Sequence, residues 1–150
     1  MSANIRKATV SDAEALNELY FNYLTAYPPT EEQNMTTWRE MLRRFADDDN
    51  YNILVLESNG KIVSSVTLVI IENLTHNLRS YALIENVVTH NDHRGKGFAS
   101  SLMNHASEIA KQRGCYKIML LTGSKKESTL NFYRSNGFNS EDKTGFIKRL

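Results

Sequence analysis

A glycine-containing turn between a strand-like segment and a helix-like segment constrains this chain more than any other feature. The segment SYALIENVVTH (80–90) is rich in strand-forming residues, and FASSLMNHASEIAKQRG (98–114) has helical periodicity and ends at a glycine. A helix N-terminus carries unpaired amide N–H groups, and glycines before it let a ligand approach the backbone closely. The intervening HNDHRGKG therefore predicts an anion site, in particular a phosphate site. A glycine turn that merely redirects the chain is the alternative.

Two well-known phosphate-binding motifs do not match this turn. A P-loop requires Gly-x-x-x-x-Gly-Lys-Ser/Thr, and HRGKGFAS lacks both that spacing and the final pair. A dinucleotide-binding fold requires Gly-x-Gly-x-x-Gly directly after its strand, but Ser100 stands at the third glycine position. The next strand-like segment, CYKIMLLTG, also ends without the acidic residue that would hold a ribose. The turn therefore indicates a phosphate site of another kind.

The length and charge of the chain exclude several classes of protein. The 150 residues fit one domain, 1–150, with a single core. Eighteen basic and seventeen acidic residues give a net charge of +1, which is no footprint for nonspecific nucleic-acid binding. No apolar stretch approaches the roughly 20 residues of a membrane span, and the N-terminus lacks the apolar region of a signal peptide. A single cysteine, Cys115, favours an intracellular setting, and we expect a cytoplasmic protein.

Hydrophobic periodicity predicts the element order β α α β β β α β α β. The first strand is NIRKATV, and a capping box of Ser11 and Glu14 opens the first of two amphipathic helices. YNILVLES and KIVSSVTLVII flank Asn59-Gly60 as a β-hairpin, and CYKIMLLT reads as a buried strand. The C-terminal GFIKRL is expected to close the sheet as an edge strand. These elements predict a mixed sheet covered by helices, on the borderline between the α/β and α+β classes.

The residues around the turn carry a family resemblance. The hexapeptide RGKGFA (94–99) follows the paired apolar residues Val87-Val88, and NFYRSNGF (131–138) comes later in the chain. In these features residues 80–138 resemble the GNAT superfamily of acetyl-CoA-dependent N-acetyltransferases, whose pyrophosphate loop has the pattern Arg/Gln-x-x-Gly-x-Gly/Ala. The segments IENVVTH and GCYKIMLL are also similar to the glucosamine-6-phosphate N-acetyltransferase branch. That branch has an aspartate where Leu121 stands here.

The resemblance implies a fold and a set of residues for binding acetyl-CoA. The implied fold is a GNAT-type mixed, mostly antiparallel sheet of about six to seven strands with about four flanking helices. Its two central strands splay apart around the pantetheine arm of the cofactor. The implied cofactor-binding residues are Val87, Val88 and Thr89 through their backbone groups, then Arg94, Gly95, Lys96, Gly97, Phe98, Ala99 and Ser100 at the pyrophosphate, and Asn131 and Tyr133 from the last helix.

Acetyl transfer to an amine requires a base and an acid, and the chain offers a candidate for each. Glu85 is the candidate base, because it is a carboxylate in an apolar strand, expected on the same face as Val87. Partial burial would raise its pKa, although a strand glutamate paired with a lysine is the alternative. Tyr133 is the candidate acid, since a phenol can protonate a departing thiolate, and the alternative is a packed aromatic. The backbone N–H of Val87 or Val88 would polarise the carbonyl group.

The resemblance implies an acyltransferase that moves an acetyl group from acetyl-CoA to the primary amine of a small molecule and releases CoA. The amine would attack directly in a ternary complex. A protein lysine or N-terminal acetyltransferase and a non-catalytic acetyl-CoA-binding regulator remain alternatives. No metal is expected, because the spacing of His90, His93 and His105 suits no zinc site. No nucleic acid or membrane partner is expected either. The resemblance to the family suggests a homodimer.

Overall fold

The computed structural model describes residues 3–150, and within them five strands form one sheet in the order β1-β2-β3-β4-β5. Neighbouring strands are antiparallel, except that β4 and β5 are parallel. The mixed, mostly antiparallel sheet confirms the predicted class, but the predicted number of six to seven strands is wrong. The strands are β1 (Ala3–Lys7), β2 (Tyr51–Ser58), β3 (Lys61–Ile71), β4 (Tyr81–Thr89) and β5 (Ile118–Leu120).

The missing strand is the one predicted at the C-terminus. Residues 139–150 form no helix or strand, and the side chains of Phe146 and Ile147 are 89% and 67% exposed. The predicted buried strand CYKIMLLT is also shorter than expected, because only Ile118–Leu120 pair with β4. A three-residue strand at the edge of a sheet offers few backbone groups to a further strand. GFIKRL therefore does not pair with the sheet, although its composition is typical of a strand.

Four α-helices cover the sheet in the described part of the chain. They are α1 (Ala13–Leu19), α2 (Met35–Ala46), α3 (Phe98–Gln112) and α4 (Glu127–Ser135). One core cluster lies between the sheet and α3, with α4 packed against it, and a second lies between the other face and the pair α1–α2. A π-helical turn, Tyr20–Leu24, continues α1. No helix within residues 3–150 is long and apolar enough to cross a membrane.

The start of the first helix differs from the predicted capping box. The amide of Thr9 donates to Asp12 Oδ2 at 2.7 Å, and the amide of Asp12 donates to the Thr9 carbonyl at 3.0 Å. A 3₁₀ turn, Val10–Asp12, therefore precedes α1, and the box predicted for Ser11 and Glu14 is wrong. Thr9 is the N-cap residue of the observed capping box, and Asp12 has the role that was predicted for Glu14. Asp12 is buried against Arg6, whose guanidinium donates to both carboxylate oxygens at 2.7 and 2.9 Å.

We expect Asp12→Asn to lower the free energy of unfolding by about 2 kcal/mol near neutral pH, measured by urea denaturation. Burial opposes the charge of Asp12, but hydrogen bonds from Arg6 and Thr9 outweigh burial and hold the pKa of Asp12 below its usual value. The ion pair therefore stabilises the fold above the unfolded-state pKa of about 3.9, and this stability is lost as pH falls through the lower folded-state pKa.

Two comparisons make the Asp12 experiment specific. Glu108→Gln breaks an exposed pair with Lys111 and should lower the free energy of unfolding by less than about 0.5 kcal/mol. The difference between the wild-type protein and Asp12→Asn should also shrink toward about pH 2, where the carboxyl group is protonated. Identical urea curves for these two proteins at neutral pH would contradict the stabilising role of the pair.

Candidate active site

A bulge interrupts β4 beside the predicted base. Glu85 lies opposite Thr67 on β3, but Val88 lies opposite Ser65, so two residues of β4 face a single residue of β3 at this point. Asn86 has a φ of 54°, in the left-handed region that asparagine adopts more readily than most residues. The bulge therefore shifts the alternation of side chains between the two halves of β4.

This shift corrects two expectations about Glu85. Val87 packs against the core cluster that contains Ile84, whereas Glu85 follows Ile84 directly and lies on the opposite face. The prediction that Glu85 and Val87 share a face is therefore wrong. Glu85 is also exposed, so the partial burial that was expected for it does not occur. Its carboxylate is directly accessible from solvent on the α1–α2 face of the sheet.

The second half of β4 has an open backbone edge. Pairing with β5 runs only from Ala82–Ile118 to Ile84–Leu120, while β4 continues to Thr89. Residues 85–89 thus have no strand beside them on the β5 side within residues 3–150. An extended ligand with amide groups can bind to such an edge as an additional strand. The predicted backbone contacts, Val87 to Thr89, lie on this stretch.

The turn that follows β4 has a backbone shape suited to glycine and an open surface. Gly95 and Gly97 have φ angles of 74° and 78°, and Gly97 is the N-cap residue of α3. A Cβ atom added at either position would meet no heavy atom within 4 Å. The amide groups of residues 95–100 find no hydrogen-bond acceptor in the described chain. Free amides at the start of a 15-residue helix form a site that fits a diphosphate.

Side chains around this turn are partly fixed in place. Arg94 Nε donates to the Thr89 carbonyl at 3.2 Å, which holds the guanidinium against the end of β4, and Lys96 is exposed. Ser100 Oγ accepts a hydrogen bond from Asn136 Nδ2 at 3.3 Å, so the end of α4 is tied to the first turn of α3. Sequence reasoning missed Asn136, because an asparagine at a helix end gives no signal of a distant partner. Phe98 and Ala99 are half-buried in the first turn of α3.

Asn131 lies on the exposed side of α4. Its Oδ1 accepts a hydrogen bond from Arg134 Nη1 at 3.0 Å, and the same guanidinium nitrogen donates to Glu127 at 2.9 Å. No hydrogen bond joins Asn131 to the glycine turn in residues 3–150. The predicted contact of Asn131 with a cofactor therefore stays a prediction.

The predicted acid and base lie near each other. Tyr133 packs against the first core cluster, with its ring centroid 5.1 Å from Phe132 and 6.3 Å from Phe138. Burial raises the pKa of Tyr133, and the negative charge of Glu85 raises it further. The phenol therefore keeps its proton at neutral pH and can donate it. Tyr133 belongs to the α3–α4 side and Glu85 to the α1–α2 side, where Glu85 directly follows the last residue of β4 that pairs with β5.

Two buried hydroxyl groups lie on the same face as Glu85. Thr67 is opposite Glu85 on β3, and Tyr20 approaches Thr67 from the π-helical turn. Among the described residues, neither Tyr20 Oη nor Thr67 Oγ1 has a hydrogen-bond partner. Burial raises the pKa of Tyr20, and the neighbouring Ser65 and Thr67 hydroxyls act in the opposite direction. Sequence reasoning missed this pair of hydroxyl groups, because Tyr20 only continues an apolar helical stripe.

The match to an acetyltransferase family model and to named N-acetyltransferases shows that the chain is an acyltransferase. More particularly, the chain belongs to the acetyltransferase (GNAT) family, whose model matches residues 13–138. Members of this family use acetyl-CoA as a co-substrate. The open space before Gly95 and Gly97, the free amides of α3 and the free edge of β4 fit such a ligand.

Individual relatives match the chain over almost its whole length. A glucosamine 6-phosphate N-acetyltransferase from Trypanosoma brucei brucei is 30% identical over 93% of this chain and 90% of that protein. A candidate acetyltransferase from Agrobacterium tumefaciens str. C58 has a TM-score of 0.83 and 39% identity, covering 98% and 99% of the two chains. A transcriptional regulator from Bacillus halodurans C-125 has a TM-score of 0.84 and 26% identity, covering 99% and 100%.

Proposed function

We propose that residues 1–150 form a single domain that transfers the acetyl group of acetyl-CoA to the primary amine of a small molecule in a ternary complex. One observation carries this proposal. The open edge of β4 leads directly into the glycine turn at the start of α3. One extended ligand can therefore bond along β4 and place its diphosphate on the free amides of α3.

The residues have distinct roles in holding the co-substrate. Backbone groups of Val87, Val88 and Thr89 bond to the pantetheine arm, and residues 94–100 bind the diphosphate. Asn131 and Tyr133 approach from α4. The bound acetyl-CoA supplies an acetyl group that is activated as a thioester.

The catalytic roles follow from the chemistry of amide formation. Glu85 accepts a proton from the ammonium form of the acceptor, directly or through a water molecule, because only the neutral amine is a nucleophile. A C–N bond then forms as the thioester C–S bond breaks. The backbone N–H of Val87 or Val88 donates to the carbonyl oxygen as negative charge develops there. Tyr133 gives its proton to the departing sulfur, so that CoA leaves as a thiol. The acylated nitrogen loses its remaining extra proton to water, which leaves a neutral amide, and the phenolate of Tyr133 takes a proton back from solvent.

The acceptor is proposed to be an amine without a phosphate group. A cavity of about 110 Å³ lies between the π-helical turn and α2. Its lining includes no lysine or arginine, and a bound phosphate calls for a cation. Leu121 also stands where the glucosamine-6-phosphate branch has an aspartate. The cavity is lined by Asn17, Tyr20, Phe21, Leu24, Thr25, Pro29, Gln33 and Trp38.

A non-catalytic acetyl-CoA-binding regulator is the second candidate, because a transcriptional regulator has nearly the same fold. The presence of both Glu85 and Tyr133 near the open strand edge favours catalysis. A protein acetyltransferase would need an open groove beside Tyr133 for a peptide.

We further propose that the protein is cytoplasmic and forms a homodimer. The exposed apolar side chains of Leu121, Phe146 and Ile147 support the dimer, because a second copy could cover them.

Calorimetric titration of the purified protein with acetyl-CoA, with NAD and ATP as controls, tests the proposed function. Binding of acetyl-CoA alone, followed by acetylation of members of an amine panel, is the expected result. Binding of acetyl-CoA without transfer to any amine or peptide would favour the regulator. Preference for NAD or ATP would contradict the proposal altogether.

We expect Glu85→Gln to lower kcat/KM about 100-fold near neutral pH, because a positioned base typically contributes about 100-fold or more. The difference in kcat/KM between the two proteins should shrink as pH rises toward the pKa of the amine, because more of the acceptor is then already neutral when it binds. A pH–rate profile of both proteins measures this difference. Glu108→Gln, an exposed carboxylate on α3, is the matched control and should leave the profile unchanged. A Glu85→Gln profile equal to that of the wild-type protein would remove the base role.

A further inference from the structure

His90 connects β4 to the glycine turn through its side chain. It precedes a 3₁₀ turn, Asn91–His93, and its Nδ1 accepts a hydrogen bond from the Asp92 amide at 3.1 Å. This is the position and the role of an N-cap residue, which is usually serine, threonine, aspartate or asparagine. The capped turn leads directly into Arg94 and the glycine turn. The imidazole therefore fixes the path by which the chain enters the proposed diphosphate site.

Tyr23 holds the other side of the same ring. Its Oη lies 2.9 Å from His90 Nε2, and the two ring centroids are 4.4 Å apart. Because Nδ1 accepts a hydrogen bond from an amide, the neutral ring carries its proton on Nε2 and donates that proton to Tyr23. Tyr23 belongs to the π-helical turn, of which Tyr20, Phe21 and Leu24 line the cavity beside α2. The Tyr23 hydroxyl oxygen accepts the Nε2 proton, so both ring nitrogens of the tautomer that caps the turn have a hydrogen-bond partner.

We propose that neutral His90 is a positioning residue for the diphosphate turn, and that protonation of His90 releases the turn and weakens acetyl-CoA binding. This inference rests on the proposed function. The reason is that a protonated imidazole donates from both nitrogens. A proton on Nδ1 would face the Asp92 N–H, so two donors would meet and the cap would be lost. Binding of the co-substrate and the charge of His90 are thereby coupled.

The surroundings of the ring determine which groups the experiment must separate. β3 adds only a backbone oxygen, which accepts the His90 amide at 2.8 Å. The ring of His93 contacts that of His90 edge to face, with centroids 5.4 Å apart. The titratable and charged side chains around the His90 ring are Tyr23, Asp92, His93 and Arg94.

Two variants of His90 isolate its role in acetyl-CoA binding. His90→Asn keeps an acceptor for the Asp92 amide but cannot be protonated, whereas His90→Leu removes the acceptor. Calorimetry at about pH 7.5 and about pH 5.5 gives the Kd of acetyl-CoA for each protein. We expect acid to weaken binding by the wild-type protein roughly five-fold more than binding by His90→Asn, and His90→Leu to bind weakly at both pH values. Protonation of the ligand's own phosphate, with a pKa of about 6, affects all three proteins equally.

Equal pH dependence of the wild-type protein and His90→Asn would overturn the inference. A measurement without ligand separates this failure from failure of the proposed function. Nitrogen-15 NMR should show an unprotonated Nδ1 at neutral pH and an Asp92 amide resonance that moves as His90 titrates. The same amide should stay in place in His90→Asn. An Asp92 amide that ignores the titration would overturn the inference, even if acetyl-CoA bound at neither pH and the proposed function were lost.

Discussion

Replacing Tyr133 by phenylalanine is expected to lower kcat about 100-fold, because a positioned acid contributes about 100-fold or more to a proton-transfer step. The ring and its packing against Phe132 and Phe138 remain, and only the hydroxyl is lost. The Kd of acetyl-CoA should therefore change less than about two-fold. Steady-state kinetics with a fixed amine, together with calorimetry, separate the two effects.

The pKa of Tyr133 adds a second expectation to this experiment. Burial raises that pKa, and the charge of Glu85 raises it further. The hydroxyl group of Tyr133 in the wild-type enzyme should therefore stay protonated beyond about pH 10, the ordinary pKa of tyrosine. Tyr116→Phe is a matched control, because this tyrosine stacks on His76 and lies outside the proposed site. A Tyr133→Phe enzyme with wild-type kcat would show that another group, or water, protonates the sulfur.

Replacing Gly97 by leucine is expected to weaken acetyl-CoA binding at least about 100-fold, measured by calorimetry. The φ angle of 78° disfavours any residue with a Cβ atom, and the added side chain would enter the open space in front of α3. That space is where the proposed diphosphate approaches the free amides. The loss corresponds to two or more hydrogen bonds to charged oxygens, at roughly 1.5–3 kcal/mol each.

Gly114 provides the matched control for this substitution. It has a φ of 73° just beyond the other end of α3, and a Cβ added there would also meet no atom within 4 Å. Gly114→Leu should therefore cost about 1 kcal/mol of stability through backbone strain, as Gly97→Leu does, but leave the Kd of acetyl-CoA unchanged. If both variants bind acetyl-CoA as the wild-type protein does, the glycine turn is not the diphosphate site.

The sequence predictions that the structure confirms concern turns and helices, whose conformation depends on residues close together in the chain. Asn59 and Gly60 adopt φ angles of 52° and 76°, which is the turn their residue types favour between two strands. The amphipathic α2 forms as its periodicity predicts, with Trp38 and Leu42 on the second core cluster. The glycine turn and α3 follow β4 as expected. Each of these features depends on turn chemistry or on alternation over a few residues, both of which can be read along the chain.

The tertiary structure decided the features that depend on distant partners. Asp12 is buried against Arg6 and accepts a hydrogen bond from the Thr9 amide, so the first N-cap residue is Thr9 and not Ser11. The bulge at Asn86 separated Glu85 from Val87, which strict alternation placed together. A bulge forms where two strands must fit against each other, and neither strand alone contains that information.

The sequence alone determined the fold class and the glycine turn at the start of α3, and it supplied Glu85 and Tyr133 as the residues proposed for acetyl transfer. Only the tertiary structure decided that GFIKRL stays off the sheet, that Glu85 is exposed, and that Tyr23 meets His90 across 67 positions of the chain. The physical reason is that backbone preferences act over a few residues. Burial, strand register and side-chain partners arise only when segments far apart in the sequence compete for the same space.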